Sequence, residues 1–430
     1  MKALIVISLL GFLGIPSGEV FAESTPISSG DTAWMLISTA LVMLMTFPGL
    51  AIFYGGLSRR KDALNTIIMS LVSYTIISIL WITYGYGFSF GTDLAGIIGK
   101  PLSPFLRSLT KSSINEAAKT IPEFVFSNFQ LTFAAITVAL ISGAWIERIK
   151  FSAWVLFTIL WFTLDYIPVA HWVWGGGFLS KLSALDFAGG TVVHINAGIA
   201  ALVGALILGK RREVSLSPHN LPLVVLGTGL LWFGWFGFNG GSALASNDLA
   251  AQAFINTNTA AAMAGLSWLF VEWAITKKPT VLGLASGVVA GLVAITPAAG
   301  FVSIASSIII GLLAGIVAYL AVAKMKNIFG YDDSLDVFGI HGIAGILGCL
   351  LTGIFADPSI NGAAGLLFGN PNQLWIQFLS IVVVGIYSAI VTSVILLVIK
   401  ATVGLRPKKE DELVGLDESI HGERSYNFHI

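Results

Sequence analysis

Two histidines set in apolar sequence are the residues here whose chemistry needs explaining. His194 closes the stretch Asp186-Phe-Ala-Gly-Gly-Thr-Val-Val-His194, at the head of an apolar run from Phe187 to Leu208. His341 lies far downstream in a similar setting. Its local text, His341-Gly-Ile-Ala-Gly-Ile346, matches His194-Ile-Asn-Ala-Gly-Ile199 at four of six positions. A titratable group inside a membrane is expensive and by default marks a route for a polar or charged solute. Neutral imidazole has one donor and one acceptor nitrogen, so two facing rings can bond each other and still present a polar edge. The chemistry this suggests is a pore-lining pair handling a small polar solute or a proton. The plainer alternative is two separate core histidines, each satisfied by its neighbours. A structural metal site needs more ligands than two histidines supply.

Other polar and aromatic residues group around this pair. Asp186 can cap a helix start by accepting free backbone N–H groups, or draw a cation to an outer mouth, and the two roles are compatible. Asp336 reads as a cap at the inner end of its helix. Aromatics gather towards one side: Phe129 and Phe133, His171-Trp-Val-Trp174, and Trp235, Phe236 and Phe238. Such rings anchor helices at membrane interfaces, or hold a small cation by cation–π attraction. Ser242 can add an acceptor. Glu147 reads as a partner for Arg148 or Arg60. Asp165 and Glu272 sit in apolar context with no evident partner. No Walker A, GxGxxG, HExxH, CxxC or nucleophile-elbow motif occurs, which removes the case for an ATPase, a dinucleotide enzyme or any other evident catalyst. No cofactor is implied.

The elements that must position these residues are membrane helices. Of 430 residues, 56% are hydrophobic and only 11% charged, with a mean hydropathy of +0.86. A soluble chain carries about a quarter charged residues. The fold class is therefore all-α integral membrane. Net charge is zero, so nothing argues for nucleic acid, and the single cysteine, Cys349, excludes a disulfide within the chain. Lys2, a short apolar stretch and Val20-Phe-Ala22 read as a cleavable signal peptide over 1–22. Runs of ~17–25 apolar residues then give eleven spans: 32–57, 63–89, 124–146, 152–173, 187–208, 220–239, 250–275, 280–297, 301–323, 337–356 and 374–399. With the N-terminus outside, 17 of the 23 basic residues fall on inner loops or the tail. Outer loops hold only Lys100, Arg107, Lys111, Lys119 and Lys181, as the positive-inside rule requires.

Eleven divides as five, five and one. Two consecutive blocks of five have opposite orientation, and His194 and His341 lie on the last span of each. Phe53-Tyr-Gly-Gly56 and Phe238-Asn-Gly-Gly241 supply a second echo. Inverted repeats place the solute site at their interface, near mid-membrane. Depth is less tidy: Asp186 precedes His194 by ~12 Å of helix and Asp336 precedes His341 by ~7 Å. The rings meet only if an aspartate lies inside the nominal membrane edge. The domains are thus a membrane domain over 23–400, with an inner tail over 401–430 that docks on it or awaits a partner. The connection 90–123 is the longest outer loop.

Several segments resemble the ammonium transporter family, the Amt/Mep/Rh group, in its bacterial form. They are Phe47-Pro-Gly-Leu-Ala-Ile-Phe-Tyr-Gly-Gly56, Tyr166-Ile-Pro-Val-Ala-His-Trp-Val-Trp-Gly175, Asp186 to His194, Gly234-Trp-Phe-Gly-Phe-Asn-Gly-Gly-Ser242 and Asp336-Val-Phe-Gly-Ile-His-Gly342. The tail segments Gly415-Leu-Asp417, His421-Gly-Glu423 and Ser425-Tyr426 add to the likeness. The resemblance implies a homotrimer in the inner (plasma) membrane with one pore per subunit, conducting ammonium and methylammonium. It implies a recruitment site at Phe133, Trp174 and Ser242, a gate of Phe133 with Phe238, a twin-histidine pair of His194 and His341, and a transport aspartate at Asp186. It also implies a PII signalling protein as partner at the inner face. Asp165 has no place in that pattern. The alternative function is an ammonium sensor of the same fold with little flux. The 30-residue tail, without an output domain, favours the transporter.

Overall fold

A computed structural model describes residues 27–214 and 217–426 of the chain; the expected signal peptide, 1–22, lies outside the described residues. Among the described residues, ten helical segments are long and apolar enough to cross a membrane: Ser29–Leu57, Arg60–Phe90, Glu123–Trp145, Phe151–Lys181, Gly190–Leu208, Leu221–Gly241, Asp248–Thr276, Ile304–Phe329, Phe338–Phe355 and Pro371–Thr402. The expected eighth span, 280–297, is a shorter apolar helix, Val281–Ile295, of 15 residues. It packs against the helices 248–276 and 304–320 on either side. Counting it, the order of spans is the expected one.

Side-chain bonds between connecting loops show which loops share a face. Arg59 pairs with Asp62 at 2.7 Å and with Glu147 at 3.5 Å. Arg211 pairs with Glu147 at 3.1 Å and with Asp332 at 2.9 Å. Arg148, fully buried, reaches the same Asp332 at 3.3 Å. The connections after spans 1, 3, 5 and 9 are therefore tied together at one end of the helix bundle. At the other end, Asp93 after span 2 meets His171 and Lys181 in the last part of span 4, and Phe187 N–H donates to Pro297 O at 3.2 Å. This is the alternation that the basic residues predicted. Glu147 takes Arg59 and Arg211 rather than the expected Arg148 or Arg60. Its backbone has φ +67°, in the left-handed region, which turns the carboxylate away from its neighbour Arg148.

The long loop 91–122 is largely exposed and carries a small antiparallel hairpin, Asp93–Leu94 against Ile98–Gly99. The tail docks. Asp417 accepts the N–H groups of Leu64 and Asn65 at 3.1 and 2.8 Å, filling the start of the helix Ala63–Leu80. A helix N-terminus presents such unpaired donors and favours negative charge. In return, Asp62 accepts Leu416 N–H at 2.8 Å. Glu412 pairs with Arg406 and Arg212 at 2.7 and 3.0 Å, and Tyr426 bonds Asn220 at 3.0 Å.

Candidate functional site

Span 5 begins close to its histidine. Asp186 is 7% exposed, and its carboxylate accepts four successive backbone N–H groups, from Gly189, Gly190, Thr191 and Val192, at 2.7, 2.6, 2.8 and 3.1 Å. Helical structure starts at Gly190, only four residues before His194. The cap therefore sits deep, and the mismatch in depth between the two histidines disappears. Both occupy π-helical turns, Gly190–Ile195 and Phe338–Ile343, in which the bonding shifts to i→i+5. Such turns are rare and concentrate at functional sites.

The two turns meet. His341 Nδ1 lies 3.2 Å from His194 Nδ1, with ring centroids 5.3 Å apart and planes at 24°. Both side chains are buried, at 4% and 1% exposure. The contact depends on two glycines. A Cβ built on Gly198 would lie 2.4 Å from the Cα and N of Gly342, so the two helices cross backbone to backbone, one turn past His194 and directly beside His341. An Nδ1···Nδ1 contact shares a single proton. One ring then carries Nδ1–H and a bare Nε2, and the other carries Nε2–H. His194 Nε2 has no protein partner. The pair thus offers one acceptor and one donor edge.

A column of rings leads to this pair. Trp174 and Phe133 meet edge-on at 5.7 Å, Phe133 stacks on Phe238 at 4.2 Å, and Phe238 lies 6.1 Å from His194. Trp235 stacks on His194 at 5.4 Å and is held by its Nε1–H to Thr296 Oγ1 at 2.9 Å. Above the column is a cavity of about 140 Å³ lined by Phe133, Trp174, Ser242, Phe187 and Gln130 among others. Trp174 Nε1–H donates to the backbone oxygen of Asp186 at 2.9 Å, and Ser242 Oγ–H donates to Phe238 O at 2.8 Å. Phe133, Trp174, Ser242, Phe238, Asp186 and both histidines are therefore brought together.

Other expected participants lie elsewhere. Phe236 stacks on Phe254 at 4.0 Å, and Trp172 packs on Tyr387. His171 bonds Ser89 O and Asp93, each at 2.9 Å. That bond, with Lys181, holds the Asp93 carboxyl down to about 2. Asp336 is not the cap of span 10: Asp333 accepts Phe338 N–H at 2.7 Å, while Asp336 pairs with Lys326 at 2.7 Å. The reason is again backbone: Asp336 has φ +60°, which swings its side chain out of capping position. Burial raises the Asp336 carboxyl above the usual range, against the pull of Lys326. Glu272 finds its partner in Thr280, whose hydroxyl donates at 2.9 Å. Thr296 and the Gly198–Gly342 crossing were not singled out from sequence. The repeat of small residues after each histidine was the available signal for the crossing.

Fold and site together define a multi-pass α-helical membrane protein with a buried histidine pair beneath an aromatic mouth. The chain belongs to the Ammonium Transporter Family, whose model matches residues 33–426. It is 57% identical to an ammonium transporter of Aquifex aeolicus over 422 residues, covering 97% of this chain and 99% of that one. Among solved structures it is similar to Mep2 of Candida albicans, with a TM-score of 0.84 and 36% identity, covering 89% of this chain and 87% of the other. It is also similar to a structure described as a sensor Amt protein, with a TM-score of 0.83 and 32% identity over 91% of this chain and 98% of that one.

Proposed function

We propose that this protein takes up ammonium by recruiting NH4+ at the outer aromatic cavity and conducting NH3 past the histidine pair. The observation that carries the reading is the Nδ1···Nδ1 contact of 3.2 Å between His194 and His341, placed directly beneath the stacked Phe133–Phe238 rings. A bare cation in an apolar conduit is costly, whereas a neutral ammonia molecule can donate to the bare Nε2 of one ring and accept from the Nε2–H of the other. Phe133, Trp174 and Ser242 form the recruitment site, where ring faces attract a small cation. Phe133 with Phe238 is the gate, because the two rings in contact leave no room between cavity and histidines.

Asp186 places a fixed negative charge beside this route. Its oxygens are occupied by four N–H groups, so it favours the cation electrostatically and shapes the turn rather than taking the proton. In the cavity beside Asp186, NH4+ gives its proton to a water molecule, leaving NH3 to pass the histidines while the proton crosses separately. The working unit in this reading is a homotrimer in the inner membrane, N-terminus outside, with methylammonium as a slower substrate. The docked tail and the ion-paired inner loops present the surface for a PII partner. The second reading, an ammonium sensor with little flux, is favoured by the likeness to the sensor Amt protein. Ammonium-evoked current and internal pH change in proteoliposomes, compared with potassium, separate the two. Selective flux supports the transporter; ammonium binding without flux supports the sensor.

A further inference from the structure

The ammonium reading leaves one buried acid unused. Asp165 is fully buried on the π-helical turn Phe162–Tyr166 of span 4. Neither carboxyl oxygen has a hydrogen-bond partner, and no basic side chain pairs with it among the described residues. Beside it lies the side chain of Asn196, also fully buried, whose amide oxygen and nitrogen are likewise unpartnered. Asn196 is two residues past His194 on span 5. On a helix that spacing puts it on the opposite side from the imidazole. Four orphan polar atoms in apolar packing would be costly. A charged carboxylate there would be costlier still, because breaking or omitting the partner of a buried charge is strongly destabilising.

The last span closes over this pair from outside. Tyr387 O–H donates to Leu164 O at 2.7 Å, and Ser388 O–H donates to Asn196 O at 3.0 Å. Adjacent residues of span 11 thus hold the backbone next to Asp165 and the backbone of Asn196. Trp161 Nε1–H adds a bond to Thr392 Oγ1 at 2.9 Å one turn away. Spans 4, 5 and 11 converge behind the wall that carries His194.

We infer that Asp165 keeps its proton and forms a reciprocal acid–amide clasp with Asn196, positioning the turn that bears His194. The acid O–H donates to Asn196 Oδ1, and Asn196 Nδ2–H donates to the acid carbonyl. All four atoms are then satisfied, no cation is needed, and the planar pair fixes the rotation of span 5 about its axis. Asp165 is a positioning residue: it acts on the histidine pair through Asn196 and span 5. The clasp requires only the geometry, but its effect on flux rests on the ammonium reading.

The test uses full-length protein in proteoliposomes, with Asp165→Asn, Asp165→Leu and native protein side by side. Infrared spectra should show the carbonyl band of a protonated carboxylic acid in native protein and lose it in Asp165→Asn. An amide at 165 can make the same two bonds, so ammonium flux and ammonium-over-potassium selectivity in Asp165→Asn should stay within about twofold of native. Leucine cannot, and flux should fall about tenfold or more as His194 loses its setting. If Asp165→Leu does not fold, the infrared band and the Asp165→Asn rescue still decide. No acid band, or a folded Asp165→Asn that has lost flux or selectivity, overturns the clasp. Native protein without flux would instead overturn the ammonium reading, and the infrared band would still judge the clasp.

Discussion

At the residue scale, the histidine pair and Asp186 carry separable duties. Replacing either His194 or His341 with alanine leaves the other ring without its Nδ1 partner and a void in place of the lost imidazole. The expected outcome is loss of selective ammonium conduction, by tenfold or more (~1.4 kcal/mol at the barrier). Methylammonium uptake in vesicles checks it, and native rates with native selectivity in His194→Ala would count against the pair. Asp186→Ala removes the acceptor of four N–H groups at once. It should destabilise the protein by roughly 2–5 kcal/mol, as expected for stripping charge-assisted bonds from buried donors. Thermal unfolding in detergent measures this. Asp186→Asn, which retains an acceptor, should lose less. The sequence displayed both histidines and Asp186 plainly, because ionisable groups stand out against apolar text. The true cap of span 10 was hidden: Asp333 and Asp336 look alike in one dimension, and only the positive φ of Asp336 separates them.

At the scale of elements, two features make predictions. The crossing of spans 5 and 10 leaves no room for a side chain at Gly198. Gly198→Val should force the helices apart, costing about 1–3 kcal/mol by overpacking and breaking the Nδ1···Nδ1 contact. Reduced stability together with reduced flux is expected; full flux in a folded variant would show that the rings do not depend on this approach. The second feature is the latch of Asp93 with His171 and Lys181. The carboxyl of Asp93 is lowered from 3.8 to about 2, so its contribution to stability is present above pH 3.8 and is lost as pH falls through about 2. The difference in thermal stability between native protein and Asp93→Asn should be complete near about pH 6 and vanish towards about pH 2. A pH-independent difference would dismiss the latch as electrostatic. Span number and order were readable from hydropathy and basic residues, with one exception in length. Val281–Ile295 is short for a span; the expected range 280–297 also took in Thr280, which caps the helix, and Thr296 and Pro297, which form a turn. The π-helical turns had no sequence signal, since they arise where helices must present side chains to one another rather than from local propensity.

At the scale of the whole molecule, the tail is bound to the same loops that are ion-paired with one another at one end of the bundle. Asp417 fills the start of the helix Ala63–Leu80. Asp417→Ala should leave those two N–H groups without the carboxylate and loosen the tail, at a cost of about 1 kcal/mol or more. Limited proteolysis of the segment 406–426, faster in the variant than in native protein, checks it. The same variant should weaken any PII complex that reads the docked tail; unchanged affinity would place that contact on the loops alone. From sequence the tail had two futures, docking or waiting, and its composition did not choose between them. The choice lies in a charge partner far away in the chain, the opening of a helix more than three hundred residues earlier.

Where two glycines let main chains touch, the spacing of spans 5 and 10 is set by backbone and not by rotamers. Swapping neighbouring side chains can then alter the packing around the crossing, yet hardly the separation of the two helices. Any slip of one helix past the other at that point would be felt at once as a changed distance between the imidazoles.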